Sequence, residues 1–234
     1  MKIALLGYGK MGKTIERLAK ERGHSISHKI TTDIAITDLT DADVAIDFSI
    51  PTAAYNNIKT CIKNKIPVVS GTTGWLNKYE DAVKLCEAEN AAFLYASNFS
   101  VGVNLFFELN EKLAKMMDHF KNYSVAIEEI HHLQKLDAPS GTAISLAQQI
   151  IANSKKEGWQ LDHAEENEIP ITAKREENVP GTHTVSYNSE IDSIEIKHIA
   201  HSREGFALGA IMAAEWILNK KGVFSMRDVL KDLT

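Results

Sequence analysis

From Lys2 to Ser97 the chain alternates short, almost uninterrupted apolar runs with longer segments whose apolar residues recur at helical spacing. The runs predict strands at Lys2 to Leu6, Ser25 to Ile30, Asp43 to Phe48, Pro67 to Ser70 and Ala92 to Ser97. The stripes predict helices at Met11 to Arg22, Thr52 to Asn64 and Asn77 to Asn90. Strands apolar on both sides, alternating with helices, imply a parallel sheet covered on both faces. After Asn104 the pattern changes. A long helical stripe to about Phe120 precedes a strand at Tyr123 to Ile130, a helix at Thr142 to Lys155, and an acidic, turn-rich stretch from Asp162 to Glu168. Three further strands follow, at Ile169 to Arg175, Thr182 to Tyr187 and Ser193 to His201, the last alternating in period two. Two apolar helices, Phe206 to Asn219 and Ser225 to Leu233, close the chain. The expected architecture is α/β: a Rossmann-type, doubly wound parallel sheet (1–103 with 206–234) into which an α+β mixed-sheet domain (104–205) is inserted.

The first strand runs into Gly7-Tyr8-Gly9-Lys10-Met11-Gly12, a G-x-G-x-x-G turn opening directly onto an amphipathic helix. In that setting glycines permit a tight turn and bring backbone N–H groups and the helix dipole against a pyrophosphate. The acid expected about twenty residues further on to grip an adenine ribose is missing. Thr31 and Thr32 occupy that place; Asp33 after them is an acid still in reach of a ribose, while the uncharged threonines would tolerate a 2′-phosphate, so NADH and NADPH both remain open as cofactors. Open α/β sheets bind ligands beyond the carboxyl ends of their strands, which directs attention to Asp47 to Pro51, to Gly71-Thr72-Thr73-Gly74, and to Ala96-Ser97-Asn98-Phe99. The Asn98 to Gly102 segment also falls where the pattern changes, the natural place for a hinge.

The strand ending at Ile130 continues into His131-His132-Leu133-Gln134-Lys135-Leu136-Asp137-Ala138-Pro139-Ser140-Gly141-Thr142. Neighbouring strand residues point to opposite faces, so the two imidazoles make a poor pair of metal ligands, and no metal is expected. Ser140 can cap the helix that follows, and a helix start built from Gly141 and Thr142 is an anion site. Lys135 and the histidines beside it make a cationic, proton-donating place for a small carboxylate.

Composition narrows the partners. In 234 residues the formal net charge is −5, the wrong sign for nucleic acid or an anionic membrane surface. The N-terminal MKIALLGYGKMG lacks the features of a secretory signal, and no run approaches a membrane span. Cys61 and Cys86 lie among apolar helical neighbours without metal or redox spacing, as buried thiols of a cytoplasmic protein would.

Taken together, G-Y-G-K-M-G at 7–12, D-F-S-I-P at 47–51, G-T-T-G at 71–74, S-N-F-S-V-G-V-N at 97–104, H-H-L-Q-K-L-D-A-P-S-G-T-A at 131–143 and H-S-R-E-G-F-A-L-G-A at 201–210 resemble the 4-hydroxy-tetrahydrodipicolinate reductase (dihydrodipicolinate reductase) family, in order along nearly the whole chain. The resemblance implies NADH- or NADPH-dependent reduction of a cyclic dicarboxylate in lysine and diaminopimelate biosynthesis, by a homotetramer assembled through the inserted domain. It implies His131 as proton donor and acceptor, Lys135 as proton donor, and His132, Ser140, Gly141 and Thr142 as substrate contacts. Gly7 to Gly12, Gly71 to Thr73 and Ala96 to Phe99 would hold the dinucleotide. The chain departs from the family in a shorter connection between the second and third strands, in the uncharged ribose position, and in Glu177 where an R-x-G-x-x-x-G-x-H pattern around Arg175, Gly181 and His183 has glycine. Two rivals remain: an aspartate- or diaminopimelate-type dehydrogenase of the same plan, and a dinucleotide-sensing protein without catalysis. The unbroken run from His131 to Thr142 argues against both.

Overall fold

A computed structural model describes residues 1–31 and 39–233. They form two compact units, Met1–Val101 with the chain from Glu204 onward, and Gly102–Arg203.

The first unit is built on a six-stranded parallel sheet in the order β11-β5-β4-β3-β1-β2. Its strands are β1 (Lys2–Leu6), β2 (Ser25–Ile30), β3 (Val44–Asp47), β4 (Val68–Ser70), β5 (Ala92–Tyr95) and β11 (Gly222–Phe224). Strand alternation explains the unbroken apolar runs. Ile3, Leu5, Val44 and Ile46 face a core shared with Ile15 and Ala19 of α1 (Lys10–Glu21) and with Ala210, Ile211 and Ala214 of α6 (Glu204–Ile217). Ala4, Leu6, Ala45 and Val68 face the opposite core, with Ile58 and Ile62 of α2 (Pro51–Lys63) and Ala82 and Cys86 of α3 (Tyr79–Ala88). Each fully buried Leu or Ile contributes about 1.5–3 kcal/mol, so both faces must be covered. Both cysteines are free and buried. The helix expected from Asn77 to Asn90 is divided into a 3-10 turn (Leu76–Lys78) and α3. The three-residue edge strand β11, begun by Gly222 at φ 122°, is only half-buried and lacks the apolar run that marks the equally short β4.

In the second unit, β6 (Ser124–His131), β7 (Gly158–Leu161), β8 (Glu168–Arg175), β9 (Gly181–Asn188) and β10 (Ser193–Ala200) form a mixed sheet ordered β10-β9-β6-β8-β7. β6 runs parallel to β8 and antiparallel to β9. One face of β6, with Val125 and Ile127, packs on Phe106 and Met117 of α4 (Val101–Met117) and on Ala143, Leu146 and Ile150 of α5 (Gly141–Ala152). Buried Asn110 ties these helices together, donating to the Leu146 carbonyl at 3.1 Å and to Gln149 at 2.9 Å. α4 starts at Val101, three residues before the expected Asn104, and its buried stripe begins at Val103. β7 was not anticipated. Its half-polar Gly-Trp-Gln-Leu gains strand geometry only by pairing beside β8.

Candidate active site

At the carboxyl end of β1 the three glycines of the turn have three different reasons to be glycine. Gly7 has φ 98°, and a Cβ there would sit 2.1 Å from the Phe48 carbonyl oxygen. A Cβ on Gly12 would lie 2.3 Å from the Gly7 carbonyl oxygen. A Cβ on Gly9 would meet nothing within 4 Å. Gly7 and Gly12 are therefore demanded by the fold, and Gly9 leaves room for something other than this chain. Gly9 is also the N-cap of α1, makes no side-chain cap, and is followed by no acid in the first turn. The leading N–H groups and the positive end of the dipole thus face outward for an anion such as a pyrophosphate, with the exposed Lys10 beside them and Met11 half-buried behind.

Tyr8 is tied down from the side: its hydroxyl donates to Glu16, and the Lys29 ammonium lies 4.9 Å from its ring centre. Glu16 also pairs with Lys20 at 2.6 Å and Lys29 at 2.8 Å, and these ammonium groups, with the Tyr8 hydroxyl, hold its carboxyl down at about 2. Lys29, next to the carboxyl end of β2, is consequently tied to Glu16 within the chain. Thr31 is exposed; Thr32 and Asp33 lie outside the described residues.

The loops after β3 and β4 are organised by Asp47, which is wholly buried. Its carboxylate accepts from Ser49 Oγ (2.7 Å), Asn57 Nδ2 (2.9 Å), Ser70 Oγ (2.9 Å) and Thr72 Oγ1 (2.8 Å). Burial pushes this carboxyl up despite those donors. Thr72 Oγ1 accepts in turn from Ser49 N, and the Thr72 carbonyl accepts from Trp75 Nε1. The Thr72 side chain is thus spent inside the loop, and any cofactor contact falls to backbone and to the exposed Thr73. Gly71 makes way for the Phe48 ring, which a Cβ would meet at 2.3 Å. Among the residues after β5, Ala96, Ser97 and Asn98 are accessible to different degrees, and Asn98 Oδ1 accepts from Ser100 N. Phe99 is buried against Phe48 with ring centres 5.7 Å apart. Its carbonyl lies where a Cβ on Gly209 of α6 would stand, at 1.7 Å, so that glycine fixes the loop's height. The sequence reading singled out the loop from Asp47 to Pro51 without seeing Asp47 as the hub that shapes its neighbour.

In the second unit the buried face of β6 continues from Val125 and Ile127 into Glu129 and His131, which period two places on the same side. Register supplies the rest. Glu129 stands opposite His183 on β9, and His131 opposite Arg175 on β8. The His131 and His183 rings meet edge to face with centres 5.0 Å apart. Glu129, with no exposed surface, lies 3.8 Å from His131 Nδ1, 3.7 Å from His183 Nε2 and 3.6 Å from Arg175 Nη1. Both of its oxygens accept from the Ser140 N–H, at 3.1 and 3.0 Å. Burial opposes its ionisation, yet His183 and the Ser140 donors outweigh that and hold it at about 2. The Arg175 guanidinium and the Ser140 N–H thus compensate the buried charge of this carboxylate.

Ser140 caps α5: Oγ accepts from Ala143 N at 3.2 Å and meets His183 Nε2 at 3.1 Å. All its polar atoms are thereby used, and it acts as the pin of the helix start. Next to it Gly141 is exposed, with open space where a Cβ would be, and Thr142 is half-buried. His132 sits with Nε2 3.5 Å from Arg203 Nη2. Lys135 donates to both oxygens of Asp137 at 2.7 Å, while Arg175 donates to the Asp137 carbonyl at 2.7 Å and so anchors the loop that carries the lysine. Burial, with the neighbouring His183 and the positive charges of Lys135 and Arg175, outweighs Glu129 and pulls His131 down to about 4. Its Nδ1 is sealed from solvent and has no hydrogen-bond partner. Nε2 would be 3.2 Å from a Cβ at Gly181, so that glycine keeps the ring's outer edge clear. Glu129, His183 and Arg175 were not singled out as site residues from sequence. A charged side chain continuing an apolar period-two face, two residues before His131, was the available signal.

Fold and site define an oxidoreductase of the dinucleotide-binding class with a second, mixed-sheet unit. The family model for the N-terminus of dihydrodipicolinate reductase matches residues 23–99, and that for its C-terminus matches residues 102–230. The chain belongs to the dihydrodipicolinate reductase family. It is 66% identical to a 4-hydroxy-tetrahydrodipicolinate reductase of Christiangramia forsetii, covering 100% of this chain and 99% of that one. Identity to the same-named protein of Thermosipho africanus is 37%, over 99% of both chains. The fold is that of the dipicolinate-bound dihydrodipicolinate reductase of Paenisporosarcina sp. TG-14, with a TM-score of 0.78, 21% identity and coverage of 97% and 98%. An aspartate dehydrogenase of Thermotoga maritima is a more distant likeness, with a TM-score of 0.53, 16% identity and coverage of 94% and 97%.

Proposed function

We infer that this chain reduces 4-hydroxy-tetrahydrodipicolinate to tetrahydrodipicolinate with a reduced nicotinamide dinucleotide, within lysine and diaminopimelate biosynthesis. The observation that carries the reading is the start of α5: an unobstructed Gly141, pinned through Ser140 to the same carboxylate that faces His131. A helix end of that kind receives a carboxylate, and an imidazole close by protonates what is bound there. Gly7 to Gly12, Gly71 to Thr73 and Ala96 to Phe99 would hold the cofactor, chiefly through backbone, and the open Gly9 fits that role. The bound nicotinamide supplies hydride to the conjugated C=N of the ring. Gly141, Thr142 and His132 grip the substrate's carboxylates. Lys135 leaves Asp137 to meet the incoming negative charge, and His131 delivers the proton to the ring nitrogen where charge accumulates. The shared plan with aspartate dehydrogenase is one of fold alone.

A coupled assay with freshly generated substrate tests the reading, following NADH and NADPH consumption side by side. Both are expected to serve within a factor of about a hundred. Among the described residues the ribose end of β2 presents no acid against a 2′-phosphate, and Lys29 beside it is already paired with Glu16. Absence of turnover with either cofactor would refute the function. A larger preference would hand the choice to Lys10 or Lys13.

The chain is expected to work in the cytoplasm as a homotetramer joined through the second unit. Ile194 and Ile199 on the edge strand β10 stay exposed, as do Leu105, Leu109 and Met116 on α4. Apolar surface of this kind is normally covered by another subunit. Light scattering at micromolar concentration should give four times the chain mass, and a monomer would remove the claim.

A further inference from the structure

We propose that Glu129 is the positioning residue of the proton donor, a single buried carboxylate that fixes the proton on His131 Nδ1 and at the same time anchors the N-terminus of α5. This rests on the function proposed above and adds to it a residue that couples the acid to the substrate's anion site.

The argument is one of placement. Glu129 reaches the site by strand geometry alone, two residues before His131 on the same face and directly across from His183. Its two oxygens hold the Ser140 N–H, and Ser140 is the cap of the helix whose first N–H groups are to meet a carboxylate. At 3.8 Å from His131 Nδ1 it is short of a hydrogen bond but close enough for attraction across a buried gap, since Glu129 has no exposed surface and Nδ1 is sealed. The sealed Nδ1 faces no other acceptor within hydrogen-bond reach. A proton on Nδ1 is therefore the one the carboxylate stabilises. Nε2, kept clear by Gly181, is the atom that exchanges with substrate. In the step itself the Nε2–H bond breaks, its electron pair stays on the ring, and the proton forms a bond to the substrate nitrogen. His131 is left neutral with hydrogen on Nδ1 and is recharged at Nε2 from water.

The groups facing His131 are Glu129 on its own strand, His183 on β9, Arg175 on β8 and Lys135 on the following loop. Glu129 is the only anion among them. Removing its charge leaves the imidazolium among cations and lowers its proton affinity, so the acid is lost at lower pH.

The test is Glu129→Gln, which keeps an oxygen for the Ser140 N–H and removes only the charge. The alkaline limb of kcat should move to lower pH by roughly one to two units, as for loss of a near opposite charge. At pH 7.5 kcat should fall about 10- to 100-fold, recovering toward wild type as the pH is lowered, with KM and cofactor affinity changing far less. Glu129→Asp, which retains the charge at greater distance, should show a smaller shift of the same sign. It carries the test alone if Glu129→Gln does not fold. A folded variant with raised KM, a lower melting temperature and an unmoved limb would make Glu129 a purely structural residue and overturn the proposal. NMR titration of His131 without substrate separates this from the function itself. In wild type the ring should charge as the pH falls toward about 4, and in Glu129→Gln only at lower pH. Superimposed curves would sink the positioning role even in a protein whose turnover is established, whereas absent turnover with separated curves would sink only the proposed reaction.

Discussion

Replacing His131 by glutamine is expected to lower kcat by roughly 10²–10⁴, the usual worth of a positioned acid, with dinucleotide affinity retained. Lys135→Ala should do the same, whereas Thr142→Val should chiefly raise KM, because a hydroxyl beside the start of α5 binds ground state and transition state alike. The pH dependence follows from surroundings. An imidazole drawn down to about 4 by burial and by the neighbouring His183 and the cations Lys135 and Arg175 is neutral in the free protein at pH 7. A donor acts only while protonated, so its contribution is present below its pKa and lost as pH rises through it. A substrate that brings two carboxylates beside Lys135 and the helix end offsets those cations and raises the imidazole. The limb in kcat, which reports the complex, should therefore lie at higher pH than the limb in kcat/KM, which reports the free enzyme. Lys135 carries a sharper alternative. It is held by Asp137 on a loop that Arg175 anchors, a placement that also suits a clamp for carboxylate. If Lys135→Ala raises KM and leaves kcat nearly untouched, the proton-donor role passes to His131 alone.

How far the site was legible depends on the distance over which its parts signal one another. β1 and the turn after it announce themselves locally, since five residues, three glycines and a helical stripe follow in immediate succession. The same holds for His131 to Thr142, where cap, lysine and histidines are neighbours in sequence. Glu129 and His183 are fifty-four positions apart and become a pair only when β6 and β9 align, which no local period records. Asp47 is similar. A lone acid at a strand end reads as a loop residue, and its four donors come from three separate segments. Strands β7 and β11 were missed for the complementary reason: neither carries the buried apolar run that betrays the equally short β3, β4 and β5, and both exist because a neighbouring strand offers an edge to pair with.

Within the turn at 7–12 the same symbol, glycine, stands for opposite requirements, and substitution should separate them. Gly7→Ala puts a methyl group 2.1 Å from the Phe48 carbonyl at a φ of 98°. Strain and overpacking together should cost about 2–4 kcal/mol, read as a lower midpoint in denaturant, with dinucleotide binding weakened as a consequence. Gly12→Ala, aimed 2.3 Å from the Gly7 carbonyl, should push α1 away from β1 and also lose stability. Gly9→Ala meets open space at a negative φ of −84°, so its unfolding midpoint should match wild type. Its cost should appear only when cofactor is added. The methyl group occupies the approach to the uncapped end of α1, and the dinucleotide dissociation constant should rise about tenfold, a penalty of about 1.4 kcal/mol. Gly9→Asp should weaken binding further, by placing a carboxylate where the pyrophosphate charge belongs. Equilibrium unfolding without cofactor, set beside a fluorescence titration with NADH, distinguishes the two classes. If Gly9→Ala unfolds as easily as Gly7→Ala, or binds NADH as tightly as wild type, the end of α1 is not the pyrophosphate site and the cofactor must lie elsewhere along the sheet.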